Sequence, residues 1–90
     1  MTYDQVDNSI KDFENKVGEL ENKFKDMATE KVKEELQRLV VDDYTKLDKM
    51  IDKYSTSIHI PNQEHIQKRN ELRSRLDKAF SRLNSMRHSL

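Results

Sequence analysis

The sequence predicts an all-α fold, an antiparallel three-helix bundle with helices over roughly residues 4–27, 30–54 and 62–88. Three observations predict it. The 90 residues hold one glycine and one proline, too little turn punctuation for a sheet with several hairpins. Apolar residues recur at steps of three and four, the period of a helix with one buried face. With 33% apolar and 38% charged side chains the chain can bury only one small core, so residues 1–90 are read as a single domain.

The first helix is carried by Val6, Ile10, Phe13, Val17, Leu20, Phe24 and Met27, with nearly every position between them polar or charged. The stripe then changes phase, because the next apolar positions are Val32, Leu36, Leu39, Val40, Tyr44, Leu47, Met50, Ile51 and Tyr54. Two explanations fit the step from Met27 to Val32. Thr29 could cap a new helix with Glu30 in its first turn, or Ala28 could carry one continuous helix through a stutter. A break is the preferred reading.

The second helix ends after Tyr54. Ser55, Thr56 and Ser57 compete for backbone hydrogen bonds, and Pro61 disfavours helical geometry at Ile60. Asn62 is a good cap for the third helix, and Ile66 sits where an apolar side chain fastens the entering chain. From there Leu72, Leu76, Ala79, Leu83, Met86 and Leu90 continue the stripe. Three amphipathic helices with short connections bury their faces most simply in an up-down-up bundle.

Charge and composition narrow the function classes. The formal net charge is zero, yet residues 1–60 carry 14 acids and 10 bases while residues 61–90 carry 3 acids and 7 bases. The basic third helix is too short a surface for general nucleic-acid binding, and its one aromatic, Phe80, falls in or near the core, so no nucleic-acid partner is expected. The absence of cysteine excludes disulfides and thiolate chemistry and fits a reducing compartment, giving a cytoplasmic expectation. No apolar run approaches the roughly 18 residues of a membrane span, so no membrane partner is expected either.

Catalysis is not expected. His59, His65 and His88 lack the spacing of a metal-ligating helix face, there is no glycine-rich phosphate loop or nucleophile elbow, and no metal or other cofactor is implied. His65 points to the apolar side of the third helix, where the corner could satisfy it.

Binding is better supplied. With Leu36 at the centre of the buried stripe, a rotation of about 100° per residue turns Arg38, Asp42, Thr45, Lys49 and Asp52 outward. On the third helix Arg69, Arg73 and Asp77 follow at steps of four along the flank of the stripe. The plainer reading is that these charges are solvated and that Arg73 and Asp77 form an exposed intrahelical pair worth about 0.3–0.5 kcal/mol.

At these residues the chain resembles the BAG domain, found in co-chaperones of the DnaK-class (heat-shock seventy) chaperones. The resemblance covers about residues 36–87 and lies in "VDDYTKLDKMID", a short corner, and "IQKRNELRSRLDKAFSRLNSM". It rests on Ile51 with Asp52 at the end of the second helix, and on Arg69 followed by Leu72 and Leu76 in the third. The resemblance implies a three-helix bundle that grips the chaperone's nucleotide-binding domain, favours its open cleft and releases ADP. It assigns acidic contacts to Asp42 and Asp52 and a basic contact to Arg69, with Arg73 and Asp77 on the same surface. Two positions depart from the family pattern: Asn70 stands where lysine is frequent, and Asp77 where glutamine is, so that Asp77 can accept but not donate a hydrogen bond. The alternative expectation is a structural helical hairpin or coiled coil, homodimeric through exchanged helices or the heptad from Val6 to Met27.

Overall fold

The computed structural model describes residues 1–90 and contains helices and their connections, with no strand. Helix α1 spans Tyr3–Lys23. Thr2 and Gln5 close its start as a reciprocal capping box, each side chain accepting the other residue's backbone N–H. The chain tightens into a 3-10 turn at Phe24–Asp26, and Met27 and Ala28 are extended. The expected break between the first two helices is therefore present. Its chemistry differs from the expectation. Ala28, not Thr29, is the N-cap, Thr29 is already the first helical residue, and no side chain caps this end. The expected helical span to Met27 also shortens, because the 3-10 turn takes up residues 24–26.

Helix α2, Thr29–Gln37, runs through a π-helical turn at Arg38–Asp43 into α3, Tyr44–Ser55. These three pieces form one rod, since the residues at both junctions keep right-handed helical dihedrals. Across the wide turn the Tyr44 N–H donates to the Leu39 carbonyl, five residues back.

Residues 56–61 make the corner. The Thr56 hydroxyl donates to the Asp52 carbonyl and the Ser57 hydroxyl to the Tyr54 carbonyl, so these side chains close the last turn of α3, as side chains that compete with the helix should. Helix α4, Gln63–His88, starts at Asn62, whose side chain accepts the His65 N–H at 2.8 Å. His65 is buried: its ring lies 4.4 Å from the Tyr54 ring, and its Nε2–H donates to the Ser55 carbonyl at 3.3 Å. The corner thus satisfies the one buried polar side chain.

The core takes Val6, Ile10, Phe13, Val17 and Leu20 from α1, Val32, Leu36, Leu39, Leu47, Ile51 and Tyr54 from the middle rod, and Leu72, Leu76, Ala79, Leu83 and Met86 from α4. All three expected stripes meet there, with Phe24, Met27, Val40, Tyr44 and Met50 only partly buried at its margin; Leu90, expected to end the third stripe, is instead 44% exposed, because it lies past the end of α4. Burial of the α1 stripe has a consequence for the dimer alternative: a partner could use that seam only by exchanging α1, since the stripe is already covered within one chain. The bundle is long and narrow, 49 × 19 × 17 Å, so its charged faces run along the helices. No helix is long and apolar enough to cross a membrane.

Candidate docking wall on the third and fourth helices

The two flanks of α4 are chemically different. Along the flank facing α1, Arg75 bonds to Asp7 and, at 2.9 Å, to Glu14, while Arg82 grips Glu21 with two nitrogens. Tyr3 donates its hydroxyl to Glu71, and the Lys68 ammonium sits 5.3 Å from the centre of the Tyr3 ring. This seam is closed on itself. Its arginines have raised pKa values: Glu14 and then Asp7 stabilise the Arg75 charge against burial, and Glu21 does the same for Arg82. In turn Arg75, then Lys11, holds the Asp7 carboxyl below the usual range, and Arg82 holds down Glu21.

The flank facing α3 is only partly neutralised. Arg73 donates to Asp48 at 2.6 Å and lies 3.9 Å from the Asp52 carboxylate. Burial disfavours the Arg73 charge, but the Asp48 hydrogen bond and charge, joined by Asp77 and Tyr44, together outweigh it and its pKa is raised. One turn earlier on the same line stands Arg69, half-buried, which meets no carboxylate within 4.0 Å. The antiparallel register fixes its level. His65 packs on Tyr54 and Arg73 reaches Asp48, so Arg69, halfway between, lies opposite the Ile51–Asp52 end of α3. The Asp52 side chain is 73% exposed. Lower on the wall the Tyr44 and Phe80 rings lie 4.6 Å apart at a tilt of 40°, both half-buried; Tyr44 packs against the core, and Phe80, expected in or near it, packs on Tyr44 instead.

The five residues singled out in the sequence therefore divide. Arg73 and Asp52 meet across the α3–α4 seam at 3.9 Å, Arg69 stands one turn before Arg73 on the same helix, and Asp77 stands exposed one turn beyond Arg73, close enough to favour its charge. The Arg73–Asp77 intrahelical pair is not made, because Arg73 turns across the seam to Asp48 instead. Asp42 is exposed, like Asp52, and Arg38, Thr45 and Lys49 are exposed with it. It lies about 15 Å further along the rod, in the π-helical turn, among Glu34, Gln37, Arg38 and Val41.

Sequence reasoning missed Asp48, the carboxylate that immobilises Arg73. Its signal was present at four residues before Asp52, the spacing that puts both acids on one helix line. The basic α4 also pairs with α1, through Arg75 to Asp7 and Glu14 and through Arg82 to Glu21.

Comparison with protein-family models, curated proteins and solved structures finds no match for this chain. The resemblance to the BAG domain therefore rests on the quoted residues.

Proposed function

We propose that the chain is a co-chaperone module that binds the nucleotide-binding domain of a DnaK-class chaperone through its α3–α4 wall and promotes ADP release. The observation that carries this reading is the contrast among the arginines of α4. Arg73, Arg75 and Arg82 each hold a carboxylate of the chain itself, whereas Arg69 and Arg87 hold none, and of these two only Arg69 stands on the α3–α4 wall, level with the exposed Asp52. An arginine without an internal partner, level with an exposed acid on the neighbouring helix, suits a partner bearing the opposite pair of charges. These are also residues to which the BAG resemblance assigns the contacts.

The action needs no catalytic side chain. A partner that binds the open nucleotide cleft more tightly than the closed one shifts that equilibrium by its differential affinity, and nucleotide that closes the cleft weakens the partner's own binding by the same factor. Co-elution with an isolated chaperone nucleotide-binding domain tests this. The complex should form without nucleotide and dissociate at saturating ATP. Absence of a complex, or one indifferent to ATP, would reject the reading.

A further inference from the structure

A second surface lies where α2 meets the last turn of α4. There Leu36, Val40, Val41 and Leu90 line an open groove of about 470 Å³, with Lys33 and Arg87 among its other lining residues. Leu36 is buried at its floor, while Val41 and Leu90 stay 52% and 44% exposed on its sides. The π-helical turn helps to make it. A wider turn rotates the chain less per residue, so that Val40 and Val41, neighbours in sequence, both face the groove. No acidic side chain lines it, and its two cations are weakly held: Lys33 lies 3.8 Å from Glu30 one turn away, and Arg87 donates only to the neutral Asn84.

We propose that this groove docks an acidic amphipathic helix of a partner protein, its apolar ridge against Val40, Val41 and Leu90 and its carboxylates toward Lys33 and Arg87. The charge of the lining selects the sign of the partner, and the open apolar floor suits one face of a helix. An acyl chain is a poorer occupant, because a pocket for a small apolar ligand encloses most of it and this groove would leave one side in water.

The test is methyl NMR of the full chain with two synthetic amphipathic peptides of roughly sixteen residues, about 24 Å of helix. One carries leucines flanked by glutamates, the other the same leucines flanked by lysines. The glutamate peptide should move the methyl signals of Leu36, Val40, Val41 and Leu90 and leave Leu72 and Leu76 in place, and the lysine peptide should move none. Lys33→Glu combined with Arg87→Glu should weaken binding of the glutamate peptide by about tenfold or more, with circular dichroism unchanged. Because both side chains are exposed, the fold does not depend on them. The proposal is overturned if the glutamate peptide leaves the groove signals unmoved, if both peptides bind alike, if dodecanoate moves the signals where the peptide does not, or if dilution alone moves them.

Discussion

Arg73 reaches from α4 to Asp48 on α3 at 2.6 Å, and the arginine one turn before it, Arg69, reaches no acid of its own chain. Two residues on one helix line thus differ, one fastening the bundle and the other, in the proposed function, left for a partner. The same substitution should separate them. Arg73→Ala should lower stability, by about 1–2 kcal/mol in chemical denaturation, because it removes a charge-assisted bond between helices at a partly exposed seam. Arg69→Ala should leave the denaturation midpoint nearly unchanged and abolish chaperone binding in the co-elution experiment. Equal losses of stability in the two variants would contradict the division.

Gly18 lies inside α1, where glycine costs helix stability, and a Cβ built there would meet its nearest neighbour, the Arg82 Nη2, at 3.6 Å. That is ordinary van der Waals contact. Gly18→Ala should therefore stabilise the chain by about 0.5–1 kcal/mol, raising Tm by several degrees. A fall in Tm would show that the Arg82–Glu21 pair needs the bare backbone.

The acid side of the stability curve should depend on the α1–α4 seam. Arg75, then Lys11, depresses the Asp7 pKa below its ordinary 3.8, and Arg82 depresses that of Glu21 below 4.5. A carboxylate with a depressed folded pKa contributes stability above its unfolded pKa and loses it as pH falls through the folded value. Thermal melts should thus drop as pH falls from the ordinary carboxylate range to below it. Arg75→Gln should flatten that acid limb while lowering Tm at neutral pH, and an unchanged acid limb would contradict the role given to the seam.

Asn62 caps the longest helix through its bond to the His65 N–H, at the point where His65 packs into the corner. Asn62→Ala should cost about 1 kcal/mol in chemical denaturation, and Asn62→Asp should largely preserve stability because aspartate caps equally well. Loss of equal size in both variants would place the effect elsewhere.

The helices and their buried faces were legible because helical period is a local property: Val6, Ile10 and Phe13 declare their face without knowledge of the rest of the chain. The corner was legible for the same reason, through Ser55 to Ser57, Pro61 and Asn62. Partner choice across seams was not. Arg75 and Asp7 are 68 residues apart, and whether Arg75 faces α1 or α3 depends on how far α4 is rotated about its axis, which no short-range pattern states. The π-helical turn was hidden too, because Arg38–Asp43 contains no proline or glycine to mark it. Of the docking wall, the line of Arg69, Arg73 and Asp77 could be read from spacing, while the capture of Arg73 by Asp48 needed the packed bundle.

Release of a fluorescent ADP analogue from a purified DnaK-class chaperone tests the central claim most directly. The wild-type chain should accelerate release in proportion to the complex formed, and Arg69→Ala, folded to the same helicity, should not. Release unaffected by the wild-type chain, or accelerated equally by Arg69→Ala, would contradict the assignment of the α3–α4 wall as an exchange-promoting surface.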